Sequence, residues 1–173
     1  MNEAEPGVAD IILWRQKRMK ARVDEQNVIK ANAQFWEQML AMSLEAMSSP
    51  EKLCLGAGHL FGVVALKGVW RGHVEVRMDD GLAYEATAAM MMQAVETVGE
   101  ADVLDATKEI ANMIAGTIKS SLPRPCSMTV PESAVELEEF RGPFGTEDAV
   151  VVGFHHSAGD LMVRIWEQEC TQE

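Results

Sequence analysis

Three segments of the chain carry apolar residues at the spacing that places them on one face of an α-helix. They are residues 31–47, 82–98 and about 103–122. Their expected ends are Ser48-Ser49-Pro50 for the first, Gly99 for the second, and Asp102 as N-cap with Pro123 as terminator for the third. We expect Met39 and the other methionines of the first segment in the core, because thioethers at helical spacing usually fill gaps there.

Strand-like patterns alternate with these helices. Residues 61–67 form an apolar run, and residues 73–78 alternate apolar and polar side chains. We expect a hairpin in which Glu75 faces water, together with its polar neighbours His73 and Arg77. Further strands are predicted at 127–130, 135–140, 150–154 and 161–166, the last two joined by a turn-rich connection.

The order of these elements predicts the fold class. One helix, two strands, two helices and four strands indicate an α+β fold. We expect an antiparallel or mixed sheet of about six strands, with two or three long helices packed on one side.

Length and charge indicate one folded domain with an N-terminal appendage. The chain has 173 residues, 47% of them hydrophobic, and a formal net charge of -12. Residues 1–30 hold six basic and five acidic groups, whereas the remaining 143 residues hold 9 basic and 22 acidic groups. We therefore expect an appendage with a basic helix at 1–29 and the domain at 30–173.

Several classes of partner and site are disfavoured. An acidic surface repels nucleic acid and anionic membranes. The sequence has neither a long apolar run nor the features of a secretory signal peptide, so we expect a cytoplasmic protein. The cysteines Cys54, Cys126 and Cys170 are widely separated and are expected to be free thiols. His155 and His156 would point to opposite faces of a strand with no carboxylate near them, so we expect no metal site.

One stripe of the third helix is unusual in composition. Asp105, Glu109, Asn112 and Gly116 fall within about 60° of one another around the helix axis. The apolar residues and Thr117 lie on a separate, broad arc that we expect to face the sheet. The stripe is locally unfavourable, since glycine costs about 1 kcal/mol relative to alanine and two carboxylates one turn apart repel by a few tenths. Two interpretations stay open at this point, a docking surface and an ordinary solvated face flanked by lysines.

The stripe also resembles a known motif. Residues 105–119, DATKEIANMIAGTIK, are similar to the D/S-x3-E-x2-N signature of the CheC/CheX/FliY family of chemotaxis phosphatases, including the glycine after the asparagine. Residues 62–68 and 72–76, followed by an alanine- and methionine-rich segment, resemble the hairpin and helix that precede this motif in CheX. The resemblance covers about residues 30–170.

The resemblance implies a CheC-like fold and dephosphorylation of a phospho-aspartyl response regulator such as CheY. Asn112 would orient the attacking water, and Glu109 would pair with the active-site lysine of the regulator. Asp105 and Gly116 would support the contact. No cofactor of the chain's own is implied, since Mg²⁺ is expected in the partner regulator. A homodimer is also implied.

Two departures and two alternatives accompany this resemblance. The family's proline lies farther from the asparagine than Pro131 does here, which indicates a shorter loop before the next strand. The first long helix has no E-x2-N, so one site per chain is expected.

The alternatives are a non-catalytic module that docks receiver domains and a component of a flagellar or signalling assembly.

Overall fold

The computed structural model describes residues 23–48, 59–134 and 149–168. Its helices are α1 (Glu25–Leu40), α2 (Asp80–Met91) and α3 (Glu100–Ser120), with a 3-10 turn at Val95–Thr97. Its strands are β1 (Glu45–Ala46), β2 (His59–Gly68), β3 (Gly72–Asp79), β4 (Cys126–Met128), β5 (Glu132–Ala134), β6 (Val150–His156) and β7 (Gly159–Glu167).

The strands form one antiparallel sheet, which confirms the predicted α+β class. Their order is β1-β6-β7-β3-β2-β4, and β5 also pairs with β2. The helices contact strands across the sheet, with α3 on β2, α2 on β7 and α1 on β6. The main hydrophobic core lies between these two layers and includes the fully buried Trp36, Ile110 and Phe154.

The first helix begins and ends earlier in the chain than predicted. It ends at Leu40 because Ala41 adopts a left-handed conformation (φ 53°), and the Met42 N–H donates to the Trp36 carbonyl oxygen at 3.0 Å. The chain then enters β1, which pairs with β6. Met39, expected in the core, is 60% exposed.

The boundary between α2 and α3 also differs from the prediction. Helix α2 ends at Met91, where Met92 is left-handed (φ 52°), so the helix does not continue to Gly99. Gly99 is instead the N-cap of α3. Asp102, predicted as that cap, lies three positions later, and its carboxylate accepts from the Gly99 N–H at 3.2 Å.

Glu75 was expected to face water and is fully buried. It lies on the face of the sheet opposite the helices, where Phe61 and Val63 are buried too. The Arg77 guanidinium pairs with the Glu75 carboxylate on this face. Strict alternation therefore predicts the direction of these side chains but not their exposure.

The expected domain boundary falls within α1, which begins at Glu25 and contributes the buried Val28 to the core. The basic stretch expected to form an appendage helix lies outside the described residues, as does the predicted strand at 135–140.

Candidate functional site

Helix α3 is held against β2 by a close contact at Gly62. A Cβ atom at Gly62 would lie 2.9 Å from both the Ala111 Cβ and the Thr107 carbonyl oxygen, so only glycine admits the helix at this distance. The Thr107 hydroxyl turns back to donate to the Val103 carbonyl at 2.7 Å, which satisfies this buried polar group. The contact fixes which face of α3 is buried.

The four stripe residues lie on the opposite face of α3. Asp105 and Glu109 are exposed, and Asn112 and Gly116 are partly exposed. The structure thus brings all four predicted residues to one accessible surface. Thr117 does not lie in the buried arc, because it is exposed and its hydroxyl donates to the Met113 carbonyl at 3.1 Å.

The two carboxylates of the stripe differ in their surroundings. The Lys108 Nζ lies 2.9 Å from the Asp105 Oδ1, in a pair whose side chains are 39% and 78% exposed. An exposed pair of this kind adds at most about 1 kcal/mol of stability, but it offsets the charge that Asp105 presents to Glu109. Within the described part of the chain, Glu109 takes no hydrogen bond or ion pair.

The Asn112 side chain has similar surroundings. Among the described residues its amide has no hydrogen-bond partner, so both its oxygen and its nitrogen are available. Glu109 and Asn112 are three positions apart, which places their side chains next to each other on the helix surface. A carboxylate acceptor and an amide that both donates and accepts are therefore presented together.

Gly116 is not required by the packing of this fold. Among the described residues outside the helix backbone around it, a Cβ built there comes within 4 Å only of the Met128 sulfur, at 4.0 Å, which is an ordinary van der Waals contact. The missing side chain leaves room on the surface beside Asn112. This contrasts with Gly62, where the fold itself excludes a side chain.

The histidines at the end of β6 have hydrogen-bond partners that the sequence analysis did not predict. Asp160, across the β6–β7 hairpin, places its Oδ1 2.7 Å from the His155 Nδ1, so a carboxylate is near. The His156 Nδ1 accepts from the Ala158 N–H at 3.1 Å. Across the described residues no three histidine, cysteine or carboxylate side chains are grouped to hold a metal ion.

Two further observations concern the described segments. Cys126 is a free thiol, while Cys54 and Cys170 lie outside them. None of the described helices has the length and apolar character needed to cross a membrane.

The fold and motif match known proteins. Residues 60–141 match the family model of the chemotaxis phosphatase CheX. No curated protein sequence matches the chain significantly.

Three solved structures share the fold. A chain of the CheX-CheY-BeF3-Mg²⁺ complex from Borrelia burgdorferi is 19% identical, with a TM-score of 0.66, and the match covers 86% of this chain and 100% of that one. A CheC-like superfamily protein from Shewanella is 19% identical (TM-score 0.65; 86% and 99% covered). CheX from Vibrio vulnificus is 18% identical (TM-score 0.63; 83% and 95% covered). The resemblance to the CheC/CheX/FliY family is confirmed.

Proposed function

We propose that this chain dephosphorylates a phospho-aspartyl response regulator of the CheY type. The observation that carries the proposal is the pair Glu109 and Asn112, side by side on the exposed face of α3 and unengaged by the described chain. The match to the CheX family model over 60–141 and the similar chain in a CheX-CheY complex support a receiver domain as substrate.

In the proposed reaction, water attacks the phosphorus of the acyl phosphate and the aspartate carboxylate of the regulator leaves. The Asn112 amide oxygen accepts a hydrogen bond from the water and turns a lone pair of the water toward phosphorus. Phosphoryl transfer needs mainly a correctly positioned nucleophile and stabilisation of the phosphoryl charge. One amide that orients the water is therefore a sufficient contribution from this chain.

Glu109 supplies the docking contact. Its exposed carboxylate would pair with the active-site lysine of the regulator, which fixes Asn112 relative to the phosphoryl group. Asp105 is already paired with Lys108, so it competes less with Glu109 for the lysine of the regulator. Asp105 would lie at the edge of the contact. Gly116 allows the surface of the regulator to approach the helix.

Metal chemistry is assigned to the partner. Mg²⁺ bound by the regulator would neutralise the phosphoryl oxygens, and this chain would contribute no cofactor. A cytoplasmic location is part of this proposal. The homodimer remains a prediction.

The test is the lifetime of phosphate on purified phosphorylated receivers of the source organism, with and without the full chain. At least one receiver should lose its phosphate faster. Glu109→Lys should abolish the acceleration, whereas Glu85→Lys, an exposed change of equal charge on α2, should retain it. A chain that binds receivers but leaves every lifetime unchanged would instead be the docking module named above.

A further inference from the structure

A cleft of about 590 Å³ lies on the side of the sheet away from the helices. Gly62 of β2 faces α3, so the alternate residues Val63 and Ala65 face the other way, where they line this cleft. His73 is paired with Ala65 in the register of β2 and β3 and lines it as well. The cleft is therefore separated from Asn112 by the thickness of the sheet.

Both walls of the cleft are held by hydrogen bonds. On one side the Thr129 N–H donates to the Ala65 carbonyl at 2.9 Å, and the Thr129 hydroxyl oxygen accepts from the Ala65 N–H at 3.1 Å. On the other side the Gln168 N–H donates to the Arg71 carbonyl at 3.0 Å. The volume lies within the range of small-molecule sites, about 300–1,000 Å³.

The cleft concentrates positive charge in a strongly acidic chain. Lys67 and Arg71 line it, and neither forms an ion pair within the described segments, although the whole chain has a net charge of -12. Glu132 is the one carboxylate among the described lining residues. Two cationic side chains that line one cleft and have no ion-pair partner among the described residues favour the binding of an anion there.

His73, which also lines the cleft, carries a buried polar atom. That atom, the Nδ1, has no hydrogen-bond partner among the described residues. The His73 ring stacks on Trp166, with centroids 5.1 Å apart and planes 18° from parallel, which fixes its orientation. Burial, and secondarily the charge of Lys67, lowers the pKa of His73, so the ring is neutral at pH 7 and has one N–H to donate.

We propose that this cleft binds a small-molecule oxyanion, a carboxylate or a phosphate, through Lys67, Arg71 and His73. Charge-assisted hydrogen bonds from Lys67 and Arg71 supply the affinity. The apolar floor at Val63 and Ala65 accommodates the carbon skeleton of the ligand. The site does not depend on the phosphatase activity proposed above.

Calorimetric titration of the full chain tests the proposal, with inorganic phosphate in one arm and succinate in the other, at constant ionic strength in chloride. At least one anion should bind saturably at one site per chain. Lys67→Gln and Arg71→Gln should each weaken that binding about tenfold or more. Lys30→Gln, which removes an exposed lysine on α1, should leave it within about twofold. These positions are exposed, so the variants should fold.

The ring protons of His73, followed by NMR in the same titration, must shift with the same dissociation constant. Three results would overturn the proposal: no saturable binding of either anion, equal weakening by Lys30→Gln, or binding without a shift of the His73 signals. Binding of an acidic peptide alone, with neither small anion bound, would also contradict it.

Discussion

Replacing Gly116 by alanine should stabilise the free protein and impair its docking. Alanine gains about 1 kcal/mol over glycine inside a helix. In the described part of the chain the added Cβ meets the Met128 sulfur at 4.0 Å, an ordinary contact distance, so we expect no steric cost to oppose this gain. For a chain of this size, 1 kcal/mol raises Tm by about 2–4 °C.

The same methyl group would occupy the space that we assign to the regulator. Overpacking of a close contact costs about 1–3 kcal/mol, so docking should weaken about fivefold or more. The assays are thermal unfolding by circular dichroism for stability, and the concentration of Gly116→Ala needed to halve the lifetime of a phosphorylated receiver for function.

The two readouts should therefore move in opposite directions. A Tm lower than that of the wild type would refute the packing assigned to Gly116. A higher Tm with unchanged phosphatase activity would refute the close approach of a partner at this position.

Three other predictions concern the rest of the fold. Gly62→Ala should destabilise the protein by about 1–3 kcal/mol in urea unfolding, because its Cβ would lie 2.9 Å from the backbone and side chain of α3; an unchanged midpoint would contradict this contact. Arg77→Ala should cost about 3–5 kcal/mol, because it leaves the buried Glu75 carboxylate unpaired; a cost under about 1 kcal/mol would count against that pair. The pKa of His73 is lowered by folding, so the unfolded chain binds the proton more readily and stability falls as the pH drops below about 6.5. His73→Gln should flatten the pH dependence of Tm between about pH 7 and 5. A Tm profile of the variant that runs parallel to that of the wild type would show that His73 does not contribute to the pH dependence of stability.

The exposed stripe of α3 was predictable because it depends on local geometry alone. Helical periodicity places Asp105, Glu109, Asn112 and Gly116 together whatever the helix packs against. The same periodicity predicted the buried arc and failed at Thr117, which lies at its edge. Exposure at the edge of an arc depends on how closely the neighbouring elements approach.

Other differences arise from interactions that no local pattern contains. Helices α1 and α2 end in left-handed Ala41 and Met92, residues that rarely adopt this conformation, so the sequence has no glycine signal there. Glu75 is buried on the face of the sheet away from the helices, and alternation shows on which face a side chain lies but not whether that face is covered. The cationic cleft joins Lys67, His73 and Gln168 through strand pairing and was not foreseen.

The central claim is that Asn112 positions the attacking water. It is tested most directly by the rate constant for phosphate loss from a phosphorylated receiver at saturating concentrations of this chain. Asn112→Ala should reduce the acceleration by on the order of 10²-fold while receiver binding stays within about threefold of the wild type. Asn27→Ala, an exposed asparagine on α1, should change neither quantity. If the Asn112→Ala variant binds the receiver and still accelerates phosphate loss as much as the wild type, the mechanism is contradicted.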